Sequence, residues 1–266
     1  MTTSAPPVVA GVDGSGSALT AVAQAARACT RYRLPLRLVH AYSLPTRGYP
    51  EVISTARELR SAMYDQGRLW LSQAVAVAHD VEPDLVVEHD LRMEHPVPTL
   101  LAESVRARRV VVGAHGLGGF TGAVVGSTAL GLATYASCPV VVVRGDADSG
   151  AVVVGVDLAP GSDVVLSLGF EEASARGAPL VAAWSDGDSA VLAQRLARWR
   201  EKFPDVAVSP VVTDERPVPM LLRLGASAQL MVVGCRGRDG FTGMLLGSTG
   251  QALVHHAPCS VAVVRT

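Results

Sequence analysis

The chain has 266 residues and a formal net charge of −1, with 49% hydrophobic and 18% charged residues. This balance is typical of a folded protein with one large domain or two of ordinary size, because enough apolar surface is present to bury a core. The near-neutral charge argues against a general binder of nucleic acid or of membrane surfaces, since both need a basic field.

Short β-branched runs alternate with helical periodicities along the first half. The predicted strands are Val8–Val12, Leu36–Ala41, Leu85–His89, Val110–Val112 and Val140–Val143. The predicted helices between them are Ser17–Thr30 behind a serine cap, Arg60–Ala78, Pro96–Ala107 and Ser127–Ser137. This alternation predicts an α/β fold, an open and mostly parallel sheet with helices on both faces.

The chain is a tandem repeat. Of the 51 positions in Glu94–Arg144, 25 are identical to the residues found 121 positions later, in Glu215–Arg265. The front of each half matches at an offset of 144, and the strands predicted there are Val152–Val156, Leu180–Trp184, Val206–Val212, Met231–Val233 and Val261–Val264. With a short polar linker at Gly145–Gly150, the repeat predicts two domains of one fold, residues 1–145 and 150–266.

Two loops in each half follow strand ends, which is where open α/β sheets bind ligands. The first contains Asp13, or Asp157 in the second half; a carboxylate there can accept a hydrogen bond from a ligand or can cap the next helix. The second loop has two glycines, then nine residues, then Gly-Ser-Thr at a helix start. Its residues are Gly113, Gly116, Gly126, Ser127 and Thr128, repeated as Gly234, Gly237, Gly247, Ser248 and Thr249.

The glycine loop has the chemistry of a phosphate site that works without lysine. Glycines let a ligand approach the backbone, and the helix start offers free N–H groups, hydroxyls and the positive end of the helix dipole. Lys202, followed by Phe203, is the only lysine, so the P-loop motif is excluded. A tight turn with an ordinary cap is the alternative for one copy, and the repetition of the spacing favours phosphate binding.

Both halves resemble the universal stress protein domain, in particular its ATP-binding branch, whose signature is G-x2-G-x9-G-[S/T]. The resemblance covers nearly the whole chain and implies two adenine-nucleotide alpha-hydrolase-like sheets of strand order 3-2-1-4-5. It implies adenine-side recognition by Asp13 and Asp157 and base contacts near Ala41 and Ser185. Along the ribose and α-phosphate it implies Gly113, Gly116, Gly234 and Gly237. For the outer phosphates, with a divalent ion such as Mg²⁺, it implies Gly126, Ser127, Thr128, Gly247, Ser248 and Thr249.

The two halves depart from each other at these loops. The second half reads Asp157-Leu158-Ala159 where the first reads Asp13-Gly14-Ser15, and Arg236 stands where the first half has His115. An arginine is permanently charged, whereas a histidine is charged only when protonated. We therefore expect two inequivalent nucleotide sites.

The resemblance implies an ATP-binding regulator of stress response or growth, with an unidentified protein partner and at most slow ATP hydrolysis. An enzyme that hydrolyses ATP or transfers from its α-phosphate is the alternative, although neither loop supplies an obvious general base besides the two aspartates. In the family's strand order the last strand of each half, Pro139–Val143 and Ser260–Val264, lies at a sheet edge. We therefore expect an intramolecular pseudo-dimer, and the same pairing would allow a homodimer.

The remaining features carry weaker expectations. The N-terminus has neither region of a signal peptide, and the four cysteines lack CxxC spacing, which together predict a cytoplasmic protein with reduced thiols and no membrane segment. The extra segment Tyr42–Arg60 predicts a flap near the first pocket. His40 either lines that pocket or is a hydrogen-bonded core residue, and Trp70 is expected to pack in the core. Arg106, Arg108 and Arg109 predict an exposed helix end.

Overall fold

Strands and helices alternate along the chain in the computed structural model, which describes residues 5–43, 53–117, 125–157, 161–235 and 246–266. The first half comprises β1 (Val8–Gly11), α1 (Gly16–Tyr32), β2 (Leu36–Ala41), α2 (Ile53–Val81), β3 (Val87–Arg92), α3 (Pro96–Ser104), β4 (Arg109–Gly113), α4 (Ser127–Tyr135) and β5 (Val140–Val143). The second half comprises β6 (Ala151–Gly155), α5 (Ser162–Arg176), β7 (Leu180–Ser185), α6 (Ser189–Lys202), β8 (Val208–Thr213), α7 (Pro217–Gly225), β9 (Ala228–Gly234), α8 (Ser248–His256) and β10 (Ser260–Val264).

The ten strands form one sheet of order β3-β2-β1-β4-β5-β10-β9-β6-β7-β8. The order 3-2-1-4-5 expected for the first half is confirmed, and the second half repeats it. Strands within each half are parallel, and the halves meet where β5 and β10 pair antiparallel, with Ala262 opposite Val141. The pairing expected of the two final strands is therefore present within the chain.

Helices cover both faces of the sheet because successive strand residues point in opposite directions. In β1, Val8 and Ala10 join the core cluster that also contains residues of α1, α2, α5 and α6, whereas Val9 joins the cluster packed by α3, α4, α7 and α8. The apolar strands are thus buried on both sides, as expected for parallel sheets. No helix in the described ranges is long and apolar enough to span a membrane.

Three sequence expectations need correction. Helix α2 begins at Ile53, so the end of the segment expected to be a flap is helical, and residues 44–52 lie outside the described part of the chain. Strand β3 begins at Val87, two residues later than expected. The exposed helix end is wrong for Arg109, which opens β4 and is 3% exposed, and for Arg108, which pairs with Glu171 at 2.7 Å.

Candidate functional site

The loop after β1 is organised by Asp13. Its Oδ1 accepts hydrogen bonds from the Ser15 backbone N–H at 3.0 Å and from the Ser15 hydroxyl at 2.6 Å. Ser15 is the N-cap of α1, because its Oγ accepts the backbone N–H of Ala18 at 3.1 Å. The alternative role of Asp13 as the helix cap is therefore wrong. Asp13 instead holds the residue that caps the helix.

Asp13 lies directly beside the glycine loop. A Cβ added to Gly116 would lie 2.7 Å from Asp13 Oδ2, so no larger residue fits there without moving the carboxylate. A Cβ added to Gly126 would lie 3.8 Å from the Gly116 backbone nitrogen, and the Gly126 N–H donates to the Ala114 carbonyl at 2.9 Å. The structure thus brings together Asp13, Gly116 and Gly126, although Asp13 lies more than a hundred residues before the two glycines in the sequence.

Gly113, which ends β4, packs closely against the first turn of α1. A Cβ there would meet Ser17 Oγ at 2.4 Å and the Ser17 backbone carbon at 2.7 Å. The side of Gly113 on which a Cβ would lie is therefore taken by the first turn of α1, and a larger residue would clash there. Ser17 Oγ also accepts the His115 backbone N–H at 3.4 Å. The serine cap predicted before this helix is Ser15, whereas the contact of Ser17 with Gly113 was missed because only the folded loop brings these residues together.

The start of α4 leaves its backbone donors uncapped. Gly126 is the N-cap, with no side-chain hydrogen bond to the first turn, and this turn contains no acidic residue. Ser127 is exposed and Thr128 is half-buried. The first N–H groups of a helix have no partner within the helix and carry the positive end of its dipole. An anion placed against this turn would therefore find several donors.

The end of β2 lies next to Asp13. Gly11 is paired with Val39, so Ala41, two residues further on, lies at the level of Asp13. His40 is buried, and its Nδ1 donates to the Val12 carbonyl at 2.7 Å, which makes it a hydrogen-bonded core residue. Trp70 from α2 packs on the same loop, because a Cβ added to Gly14 would lie 2.2 Å from its indole ring. This contact was invisible in the sequence, where the two residues are far apart.

The second half repeats part of this arrangement. Gly155 pairs with Ala183, which places Ser185 at the level of Asp157, and the Gly247 N–H donates to the Cys235 carbonyl at 2.7 Å as Gly126 does to Ala114. Gly247 is likewise an N-cap without a side-chain hydrogen bond, Ser248 is exposed and Thr249 is half-buried. Gly234 ends β9.

Other predicted features of the second half differ or lie outside the described ranges. Gly237, Arg236 and the Leu158-Ala159 departure all fall outside them. The Asp157 carbonyl accepts a hydrogen bond from Arg195 of α6 at 2.9 Å, and the Ser185 hydroxyl donates to the Glu215 carbonyl at 2.7 Å. A guanidinium therefore contacts the second loop, whereas an indole contacts the first.

An open pocket of about 420 Å³ adjoins the first site. Ser17 and His115 line it from the first half, and Ala257 and Pro258 line it from the second. The His115 Nε2 is buried and has no hydrogen-bond partner within the described part of the chain. The pocket could not be found from either repeat alone, because its walls come from both.

The four cysteines are buried free thiols. Burial raises the pKa of Cys138 and of Cys259 to about 11, so both thiols stay protonated at neutral pH. Both side chains belong to the apolar cluster under α4 and α8. Their positions therefore serve packing.

Comparisons with known proteins agree with the repeat and with the fold. The profile of the universal stress protein family matches residues 6–144 and 183–265. A universal stress protein of Mycobacterium tuberculosis is 38% identical over 290 residues, covering 97% of this chain and 96% of its own length. The crystal structure of a universal stress protein from Archaeoglobus fulgidus covers 97% of this chain and 98% of its own, with 16% identity and a TM-score of 0.74, which supports the fold.

Two solved structures of universal stress proteins that match about half of this chain contain a nucleotide, cAMP in one and dAMP in the other. A universal stress protein in complex with cAMP matches 53% of this chain and 99% of its own, at 24% identity and a TM-score of 0.40. A likeness this low assigns no ligand to the present protein. The profile match and the full-length relatives suffice for the family, and this chain belongs to the universal stress proteins.

Proposed function

We propose that the protein binds ATP at the carboxyl edge of each half and acts as a nucleotide-dependent regulator of stress response or growth. The observation that carries this proposal is the convergence of Asp13, Gly116 and Gly126 in front of the uncapped start of α4. A carboxylate at one end and a helix N-terminus at the other suit a ligand with a hydroxyl-bearing or amino-bearing part and a phosphate chain.

The residues present fit the phosphate chain of ATP. The N–H groups of the first turn of α4 and the hydroxyls of Ser127 and Thr128 would hold the outer phosphates, and Gly116 would lie along the α-phosphate. In the second half, Gly247, Ser248 and Thr249 would do the same. Asp13 and Asp157 would contact the adenosine, beside Ala41 and Ser185.

Mg²⁺ would be held mainly by the nucleotide. Within the described ranges no cluster of three or more His, Cys, Asp or Glu side chains could form a protein cage for a metal. Mg²⁺ is commonly bound through substrate phosphates and water with few protein ligands, and here the Ser127 hydroxyl is the nearest candidate. When bound, the ion would reduce the charge of the triphosphate.

Regulation is favoured over rapid catalysis because Asp13 would contact the adenosine and not a water molecule at the outer phosphates. Asp13 Oδ1 accepts two hydrogen bonds from Ser15, and Oδ2 lies against Gly116. A general base needs a free lone pair facing the reacting water. A protein partner would then distinguish the nucleotide-bound protein from the empty one. We place this interaction in the cytoplasm, where thiols stay reduced.

The first experiment identifies the ligand. Protein purified without added nucleotide is denatured, and the released nucleotides are identified by mass and counted per chain. We expect ATP, and calorimetry on stripped protein with ATP and Mg²⁺ should then detect binding. No uptake of any adenine nucleotide would contradict the proposal. Formation of several ADP or AMP molecules per protein chain per minute would favour the alternative, an enzyme that cleaves ATP.

A matched pair of glycine variants tests the proposed phosphate-binding site at the start of α4. In Gly126→Ala the methyl group meets no atom of the described residues beyond its chain neighbours closer than 3.8 Å, and φ is −62°. We therefore expect the fold to tolerate the change while the methyl group intrudes on the proposed phosphate position. Gly16→Ala adds the same methyl group in open space at the start of α1. We expect ATP affinity to fall about tenfold or more in the first variant only, since one lost anion contact costs about 1.5–3 kcal/mol.

A further inference from the structure

A buried charged cluster joins the two halves on the sheet face covered by α1 and α5. Arg109 of β4 forms an ion pair with Glu172 of α5, and the two side chains are 3% and 2% exposed. Glu172 also accepts hydrogen bonds from the Tyr32 hydroxyl at 2.8 Å and from Arg176 Nε at 2.9 Å. The Tyr32 ring lies under the Arg109 guanidinium, 4.7 Å from its central carbon. The Glu172 carboxylate is thus fully engaged.

Arg109 still has unused donors. Its Nε and Nη2 are buried, and within the described ranges no hydrogen-bond acceptor reaches either of them. A buried polar group without a partner is costly, and a charged one more so, so native proteins almost always satisfy such atoms with protein, water or an ion. The two donors therefore indicate a bound species beside Arg109.

A small cavity lies beside Arg109. Its volume is about 20 Å³, and Arg109, Arg176, Gln24, Gln229 and Ser260 line it together with apolar strand residues. Roughly 10–15 Å³ is needed to hold one water-sized particle. The cavity therefore fits one water molecule or one monatomic ion and is too small for phosphate or sulfate.

The charges around the cavity favour an anion over water. Among the residues that line it, Arg109 and Arg176 share the carboxylate of Glu172, while Asp146 accepts hydrogen bonds from Arg27 at 2.8 Å and from Gln24 at 3.1 Å. Burial and the Glu172 charge raise the pKa of Tyr32, so its phenol stays neutral. Burial lowers the pKa of Arg31, and the positive charge of Arg176 lowers it further.

We propose that the cavity between α1, α5 and the central strands binds one chloride ion, held by Arg109 Nε and Nη2 and facing Arg176. The ion would satisfy both unused donors and offset part of the positive charge. Because Arg109 comes from the first half and Arg176 from the second, the ion would stabilise the junction between the halves. This site is independent of the nucleotide sites, which lie at the carboxyl edge of the strands.

The test measures chloride-dependent stability of the full chain. Thermal unfolding is followed while chloride replaces gluconate, an anion too large for the cavity, at constant ionic strength. For free chloride about tenfold above its dissociation constant we expect the midpoint to rise by about 3–6 °C. Arg109→Met should lose this rise, and Arg108→Gln, which alters the neighbouring partly exposed ion pair, should keep it. A rise that is equal in all three proteins would be a general salt effect and would overturn the proposal.

A direct measurement locates the ion. Crystals of the unmodified protein grown in bromide are expected to show one anomalous peak within about 3.5 Å of Arg109 Nε and Nη2, slightly beyond ordinary hydrogen-bond length because halides are large. This measurement does not depend on whether Arg109→Met folds. A water molecule at that position, with no anomalous signal at any bromide concentration used, would overturn the proposal.

Discussion

Two groups of arginine contacts connect the halves. The contacts of the first group occur in both repeats, and those of the second group occur only once. Arg144 and Arg265 occupy equivalent positions after β5 and β10, and each donates to carbonyls at the end of the other half's last helix. Arg144 Nη2 reaches Val254 and His255 at 2.8 Å, and Arg265 Nη1 reaches Thr134 and Ala136 at 3.4 Å. Such contacts could hold together two identical domains.

The Glu172 cluster is of the other kind. The positions equivalent to Glu172 and Arg109 are Ala28 and Leu230, so a second copy of the cluster does not exist on the other side of the junction. Repeated contacts therefore explain how the halves pair, and unrepeated contacts make the pairing specific to this order of halves.

The largest expected effect comes from removing the central carboxylate. Glu172→Gln leaves Arg109 and Arg176 buried without an anionic partner and should cost about 3–5 kcal/mol of unfolding free energy in urea denaturation. Glu171→Gln removes the neighbouring carboxylate, which pairs with the half-buried Arg108, and should cost about 1 kcal/mol or less. Equal losses would show that the buried cluster is no more important than its surface neighbour.

The same carboxylate should make the stability pH-dependent. Burial would raise the pKa of Glu172, but Arg109 and Arg176 lower it from the ordinary 4.5 to about 2. A lowered pKa in the folded state stabilises the protein above the unfolded value, and this contribution is lost as pH falls from about 4.5 to about 2. We expect the wild type to lose up to about 3 kcal/mol more than Glu172→Gln over this range. Parallel pH profiles would contradict the assignment.

The repeated arginines should have smaller and unequal effects. Arg144→Met removes two short hydrogen bonds from a half-buried side chain and should cost about 1–2 kcal/mol, whereas Arg265→Met removes longer, more exposed ones and should cost under about 1 kcal/mol. Arg106→Met, on an exposed side chain of the same type, controls for loss of charge. A larger loss for Arg265 would mean that distance and burial do not rank the two contacts.

The smallest expected effect is a difference in ATP affinity between the two proposed nucleotide sites. Asp13→Asn keeps the acceptor for Ser15 but removes the charge, and Asp157→Asn makes the equivalent change where Arg195 contacts the loop. We expect the two variants to differ about threefold or more in ATP affinity, measured by calorimetry, because different side chains contact the two loops: Trp70 the first and Arg195 the second. Glu201→Gln, on the exposed face of α6, is the control. Identical losses and identical pH profiles would mean that the sites are equivalent.

Local patterns determined most of the fold and part of the site. A β-branched run such as Val140–Val143 favours a buried strand. The spacing from Gly113 to Gly126, repeated in the second half, was informative because it joins a strand end, a loop and a helix start that are contiguous in sequence. The duplication indicated where each element would recur. The meeting of the last strands was expected from the resemblance, because the family's strand order places an apolar strand at the sheet edge of each half.

Contacts between distant segments were decided by the tertiary structure. Arg109 reads as part of an exposed basic cluster, yet α5 brings Glu172 against it and makes burial favourable. Trp70 lies on Gly14, and Ser17 occupies the space beside Gly113, although no spacing relates these residues. The periodicity of apolar residues predicts which face of a helix or strand is buried, because it depends only on residues that are close in sequence. Which charged or aromatic side chain meets which partner depends on how whole elements pack, and this is settled only when the sheet and its helices assemble.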